Sequence, residues 1–282
     1  MKKILITGAN SYIGTNVESW LLKNNYSVST LDMHNNKWKD QDFSQYDVIF
    51  HVAGIAHASK DPSKKDLYYS VNRDLAFEVA QKAKESGIKQ FIFMSSILVY
   101  GDSSNSVRVI TAETIPNPTD FYGESKLQAE VLLEKLKDDH FKVAIIRPPM
   151  IYGKNSKGNY PKLSKLAQTT FIFPKMKNER SMLHIDNLCE FIRCIISYEL
   201  DGIYFPQNKE YVCTSELVKE IANVHNKALY LTSLFNFVLK RLFKLDVIKK
   251  LFGNLTYHKE ISEYEFNYQV VSFKESIFLT EK

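Results

Sequence analysis

The chain has 282 residues, of which 44% are hydrophobic and 24% charged, with 10 Gly and 8 Pro. That composition excludes a disordered or fibrous chain, and the length allows one large domain or two closely joined ones around a real core. Lys and Arg number 37 against 32 Asp and Glu, net +5, and residues 231–255 alone hold net +4, so the remainder lacks the broad basic surface of a nucleic-acid binder.

Met1-Lys2-Lys3 followed by Ile4-Leu5-Ile6 opens like a secretion signal, but the apolar run stops at Thr7-Gly8. That is short of the roughly 7–15 residues such a signal's core needs. No apolar run reaches the ~18 residues of a membrane span. Cys189, Cys194 and Cys213 form neither a CxxC pair nor an even set, and the first two sit in the apolar stretch LCEFIRCII as small hydrophobes. These features predict a cytoplasmic protein with no metal site.

Short apolar runs alternate with helical patterns through the first half. Strands are predicted at Lys3–Ile6, Ser27–Leu31, Val48–Val52, Gln90–Met94 and Val143–Ile146, with helices near Tyr12–Asn24, Leu67–Ser86 and Asp120–Asp138. Nearly all-apolar strands in alternating βα units imply a parallel sheet covered on both faces. Met33–Asp47 is too short for a full strand-plus-helix crossover, so the third βα unit is predicted to be cut down or missing. After Arg147, Pro148, Pro149, Pro161 and Pro174 with Gly153 and Gly158 break the pattern into loops and short elements. Helices resume at Asp186–Glu199 and Thr214–Asn226. The predicted fold is α/β, a doubly wound parallel sheet over residues 1–149 with a smaller region over 150–282, of which about 170–205 returns to the first.

Strand Lys3–Ile6 runs into Thr7-Gly8-Ala9-Asn10-Ser11-Tyr12-Ile13-Gly14 and then a helix. Glycine at a strand end lets backbone approach a pyrophosphate, and the amides of the helix start attract its charge. Two glycines six apart also occur in ordinary tight turns. Asp32 strengthens the ligand reading: it stands 18 residues beyond Gly14 at the end of the second strand. An acid there can accept bonds from an adenosine ribose and repels a 2′-phosphate, which favours NAD while leaving NADP open.

Tyr122 and Lys126 are four apart at the start of a predicted helix and share one face. A phenol titrates near 10, and a lysine ammonium one turn away stabilises its phenolate, making proton exchange feasible near neutral pH. Upstream, Phe91–Met94 ends in Ser95-Ser96, at the carboxyl end of a parallel strand where ligands bind. A lone YxxxK is common on solvent faces; glycine loop, strand-end acid, strand-end serine and YxxxK in that order outweigh that reading.

With these pieces the chain resembles the extended short-chain dehydrogenases/reductases of the NAD-dependent epimerase/dehydratase group, enzymes of nucleotide-activated sugars. The resemblance is carried by TGANSYIG, HVAG at His51–Gly54, the Asn72 region, SSILVYG, YGESK, RPPMIYG and RSMLHIDN, over residues 4–188. It implies Tyr122 as catalytic acid/base, Lys126 as the group that lowers its pKa and holds the nicotinamide ribose, and Ser96 polarising the substrate oxygen, with Ser95 supporting the loop. It assigns Gly8, Asn10, Ser11, Tyr12, Ile13, Gly14, Asp32, Ala53 and Gly54 to the dinucleotide, and Arg180 and Asn159 to a nucleotide-diphosphate sugar. A homodimer is implied in the same way.

Four features depart from the family pattern. Ser11 replaces a loop glycine. Ile97-Leu98 stands where 4,6-dehydratases carry an Asp-Glu pair, which excludes that activity. Met150 stands where many 4-epimerases have Asn, and the late arginine of the epimerase substrate region has no clear counterpart. Over nearly the whole length the chain is most similar to capsule and O-antigen enzymes that reduce a UDP-4-keto-6-deoxy-N-acetylhexosamine. The expected function is therefore NAD(P)-dependent reduction at sugar C4, with a UDP-hexose 4-epimerase that retains NAD as the alternative. A non-catalytic cofactor-binding protein is a third reading, opposed by the intact Ser96, Tyr122 and Lys126. His184 and His51 read as packed or hydrogen-bonded histidines. Residues 231–255 hold 14 apolar and five basic side chains; burial in the small region is favoured over contact with an anionic membrane.

Overall fold

The computed structural model describes residues 1–56, 61–102, 109–234, 236–241 and 245–282. From the N-terminus, β1 (Lys3–Thr7), α1 (Tyr12–Lys23), β2 (Ser27–Leu31) and β3 (Val48–His51) open the chain. Between β2 and β3 only a single 3-10 turn, Asn36–Asp40, stands in place of a strand and crossover helix, with Trp38 buried beneath it. Next come α2 (Lys65–Tyr69) and α3 (Leu75–Glu85), joined without a break by a π-helical turn at Ser70–Asp74. They are followed by β4 (Gln90–Met94), β5 (Val109–Ile110), α4 (Phe121–Glu134), β6 (Lys142–Ile146) and β7 (Met150–Tyr152). The remainder is α5 (Tyr160–Thr169), β8 (Ile172–Pro174), β9 (Met182–His184), α6 (Ile185–Ser197), β10 (Gly202–Tyr204), α7 (Thr214–Val224), β11 (Tyr230–Thr232), α8 (Asn236–Arg241), α9 (Asp246–Phe252), β12 (Thr256–Tyr257) and α10 (Phe273–Glu281).

Six strands form one parallel sheet in the order β10-β6-β4-β3-β1-β2. The direction of winding reverses at β1, which has β2 on one side and β3 on the other, and a doubly wound sheet opens its ligand crevice at such a switch point. Alternation along β1 explains the two covering layers: Ile4 and Ile6 pack with α1 and α6 through Val17, Leu188 and Phe191, while Leu5 faces α3 and α4 through Val79, Ala83 and Leu133. Each of these Val, Leu, Ile and Phe side chains stabilises the fold by about 1.5–3 kcal/mol when fully buried.

The later half divides its loyalties. α6 packs against α1 and β10 extends the main sheet beside β6. A separate core gathers Tyr160 and Leu163 of α5, Phe173 of β8, Leu217 and Ile221 of α7, Phe252 of α9 and Ile277 of α10. Segment 231–255 is split, contrary to wholesale burial. Leu231, Ile248, Leu251 and Phe252 pack into that core, whereas Leu234, Phe237 and Leu245 are exposed. Its helices are only six and seven residues long and each can turn only one face inward. Phe235, Leu242, Phe243 and Lys244 of that segment lie outside the described residues. Among the described residues, no helix is long and apolar enough to cross a membrane.

Candidate active site

Gly8 closes β1 with φ +105°, and a Cβ there would sit 2.8 Å from the Ala53 amide nitrogen, so glycine is required on both counts. The Gly8 and Ala9 amides donate to the Leu31 carbonyl at 2.9 and 3.1 Å, tying the loop to the end of β2. Ser11, the departure from the glycine pattern, is the N-cap of α1: its Oγ accepts from the Gly14 amide at 3.1 Å. Gly14 in turn has no room for a Cβ, which would lie 2.6 Å from that Oγ and 3.1 Å from the Gly8 carbonyl oxygen. The amides of Tyr12 and Ile13, in the first turn of α1, have no partner within the helix, and both residues line the cleft beside it.

Asp32 follows β2 directly and is exposed; its carboxylate accepts from the His34 amide at 2.9 Å and meets His34 Nδ1 at 2.5 Å. Those two bonds hold it below the usual carboxylate range. Gly8, Asn10, Gly14, Asp32 and Ala53 stand outside the cleft lining itself, around its β1–β2 end. Asn10 has φ +63°, a turn conformation that Asn tolerates.

The cleft, about 450 Å³, runs from Ser11–Ile13 and Gly54 past Ser96, Tyr122 and Lys126 to Met150, Asn159, Arg180 and Leu255. α4 begins at its floor. Asp120 caps that helix by accepting from the Gly123 amide at 2.8 Å. A Cβ on Gly123 would collide with the Leu98 carbonyl, so glycine lets the first turn of α4 press on the Ile97–Tyr100 turn. That approach sets the Tyr122 hydroxyl near the Ser96 side chain, and both residues line the cleft. Ser96 itself is the N-cap of the Ile97–Tyr100 turn, its Oγ accepting from the Leu98 amide at 3.2 Å.

Burial pushes the Tyr122 phenol up to about 12, with the nearby Ser96 side chain opposing and Asp120 and Tyr68 adding to the rise. Tyr68 meets the Tyr122 ring edge-on at 6.4 Å. Lys126, one turn further along α4, is buried and donates from Nζ to the Met94 carbonyl at 2.7 Å. Burial pulls its ammonium down to about 7, opposed by Glu130. Burial thus shifts both groups against their charged forms, the phenol upwards and the amine downwards.

Supporting residues surround this group, and of these Glu130 was not legible as such in the sequence, nor were the partners of Asn72 and Ser95. Asn72, fully buried in the π-helical turn, accepts from the Ile55 amide at 2.9 Å and donates to the Ile55 carbonyl at 3.0 Å and to Ser125 Oγ at 3.1 Å. It lies against Gly54, where a Cβ would be 2.9 Å from Asn72 Oδ1 and 3.2 Å from Lys126 Nζ. Ser95 donates to Glu130, whose carboxylate pairs with the Arg147 guanidinium at 2.5 Å; Arg147 Nη1 also meets the Tyr100 hydroxyl at 2.6 Å. This buried network underlies the loop that carries Ser96.

At the far end, Arg180 lines the cleft and its Nη1 donates to the Gly253 carbonyl at 3.1 Å, in reach of support from Asp102. Asn159 is exposed at the start of α5, and Ser156 is buried beside it with an Oγ that finds no partner. His51 is fully buried, its Nδ1 2.8 Å from Thr7 Oγ1, and burial lowers its pKa to about 3. His184 caps α6 through Nδ1 and burial lowers it to about 4. Both are neutral imidazoles. Among the described residues, no cluster of three or more His, Cys, Asp or Glu could hold a metal ion.

A parallel sheet with a crevice at its switch point, a glycine loop above it and a Ser–Tyr–Lys group in the cleft define a dinucleotide-dependent oxidoreductase fold of the extended short-chain dehydrogenase/reductase class. The family model described as "NAD dependent epimerase/dehydratase family" matches residues 4–204, and the chain belongs to that family. It is 31% identical to a UDP-glucose 4-epimerase of Vibrio cholerae, over 90% of this chain and 86% of that protein. It is 27% identical to N-acetyl-alpha-D-glucosaminyl-diphospho-ditrans,octacis-undecaprenol 4-epimerase of Escherichia coli O157:H7, over 79% of this chain and 72% of that one. Among solved structures, the UDP-glucose 4-epimerase of Thermotoga maritima with UDP-glucose superposes with a TM-score of 0.76, covering 99% and 97% of the two chains at 18% identity. The chain is thus an enzyme of the nucleotide-sugar epimerase and reductase group.

Proposed function

We propose that the enzyme oxidises and reduces C4 of a nucleoside-diphosphate hexose, with 4-epimerisation as the net result. The observation that carries this reading is the convergence of Ser96, Tyr122 and the buried Lys126 on one cleft. The glycine loop fits a dinucleotide: Gly8 and Gly14 leave no room for a Cβ, and the first-turn amides of α1 stand beside the cleft. The loop with Ala53 and Gly54 would hold the pyrophosphate, Lys126 the nicotinamide ribose and Asp32 the adenosine ribose, which favours NAD over NADP. When bound, that group supplies the hydride acceptor and donor. Tyr122 Oη takes the proton of the C4 hydroxyl and returns it, Ser96 Oγ holds the same oxygen, and Arg180 and Asn159 bind the diphosphate and nucleotide.

Epimerisation is placed first because the Vibrio cholerae and Escherichia coli relatives both carry 4-epimerase names. Reduction of a UDP-4-keto-6-deoxy-hexosamine is the second reading, favoured by Met150, which lines the cleft without a hydrogen-bond donor. Incubation with UDP-glucose and UDP-N-acetylglucosamine, no cofactor added, is expected to yield the C4 epimers. Stoichiometric oxidation of NADH or NADPH by the 4-keto sugar, without epimer formation, would support the second reading. Failure of both assays with folded enzyme would remove the proposal.

A further inference from the structure

One edge of the C-terminal half shows solvent an apolar surface that the hydride chemistry does not use. β8 and β11 pair in parallel with Ile172 opposite Tyr230, and the Tyr230 amide donates to the Phe171 carbonyl at 2.8 Å. α8 is joined to the same edge: the Lys175 amide donates to Thr232, and Asn236 Nδ2 donates to the Lys175 carbonyl, both at 2.8 Å. Along it Phe171 and Tyr230 are each 67% exposed, Ile172 56%, Leu234 84% and Phe237 65%. Five large apolar side chains on one edge are more than the scattered exposure usual for a soluble surface.

The charge around this edge is one-sided. Lys227 Nζ lies 6.0 Å from the Phe171 ring and the Arg241 guanidinium 4.4 Å from the Phe237 ring, with Lys175 and Lys177 exposed between the two elements. Among the described residues, Lys175, Lys177, Lys227 and Arg241 thus place four positive charges along this edge. Aromatic rings flanked by cations suit the boundary between headgroups and acyl chains, and the excess positive charge complements anionic lipid. A second copy of this chain would bring like charge against like charge.

We infer that this edge, formed by β8, β11 and α8, seats the protein on the surface of a bilayer rich in anionic phospholipid. The proposal is independent of which sugar the cleft accepts. α9 leads from the same segment directly to Leu255 in the cleft lining, so docking would orient the cleft at a fixed distance from the bilayer.

Flotation of the purified protein with vesicles of phosphatidylglycerol mixed into phosphatidylcholine, against pure phosphatidylcholine vesicles, tests this. Binding is expected on the anionic vesicles at low salt and is expected to fall at high salt. Each basic residue near such a surface contributes about fivefold, so Lys175→Gln with Lys227→Gln is expected to weaken binding roughly 25-fold. Leu234→Ser with Phe237→Ser is expected to weaken it about tenfold or more. Both pairs should leave thermal unfolding and turnover of a soluble sugar nucleotide unchanged. No flotation with anionic vesicles would overturn the proposal, as would equal flotation with neutral ones or undiminished binding by both variants. Self-association in solution that the apolar pair abolishes would assign the edge to a second copy and equally overturn it.

Discussion

Removing the Glu130 carboxylate is expected to be among the most damaging single changes outside the hydrophobic core. Glu130 and Arg147 are 3% and 7% exposed at their side chains, and Arg147 is bonded through Nε and Nη2 to the carboxylate at 2.5–3.2 Å. Glu130→Leu leaves the guanidinium buried with the Tyr100 hydroxyl as its remaining side-chain partner, and leaves Ser95 without an acceptor. A stranded buried charge costs about 3–5 kcal/mol, and the lost serine bond adds about 1 kcal/mol. For a domain with 5–15 kcal/mol of total stability, that is a large fraction. Glu130→Leu combined with Arg147→Met removes both charges, and its cost is expected to be at least about 2 kcal/mol smaller than that of the single change. Urea unfolding with the m-value checked for constancy gives both numbers. A single variant costing less than about 1 kcal/mol, or a double variant as unstable as the single, would refute the reasoning.

Three further outcomes are expected. Gly54→Ala places a methyl 2.9 Å from Asn72 Oδ1 and 3.2 Å from Lys126 Nζ, and the resulting shift is expected to lower kcat by roughly 10²-fold with little change in melting temperature; wild-type kcat would show the approach is not tight. His51 is held neutral with a pKa lowered from 6.5 to about 3, so between those values the unfolded chain binds a proton that the folded one does not. Stability is therefore lost as pH falls through that window, up to about 1.4 kcal/mol per pH unit from this group, and His51→Gln should flatten the slope measured by urea titration. Asp32→Ser is expected to raise the affinity for NADP relative to NAD by about tenfold or more, measured by fluorescence titration; an unchanged ratio would remove Asp32 from the ribose site.

How much was legible in the sequence depended on how far each residue's partner lies along the chain. Strands such as Val48–His51 and Gln90–Met94 announce themselves because burial on both faces makes them largely apolar, whereas β2, Ser27–Leu31, has no fully buried residue and carries Ser and Thr. β10 was missed: Gly202-Ile203-Tyr204 is a three-residue edge strand whose place beside β6 is set by the long path through α6. The paired strands of two or three residues, β7 with β9, β8 with β11 and β5 with β12, are too short to show any period. Tyr122 and Lys126 declared their shared face by spacing alone. Glu130 did not, since its partners lie 17 or more residues away and nothing local marks it as buried, and Asn72 stood out only through the family resemblance, without its partners. Ser11 looked like a defect in the glycine loop, and its physical role as a helix cap needed coordinates.

The most direct test of the account is the Tyr122→Phe enzyme, which keeps the ring packed against Tyr68 and removes only the hydroxyl near Ser96. Its turnover of the nucleotide sugar and its affinity for NAD, measured side by side, are predicted to separate: cofactor affinity within about twofold of wild type and kcat lower by about 10²–10⁴-fold. Turnover at the wild-type rate in a variant that still binds NAD would contradict the assignment of proton transfer to this phenol.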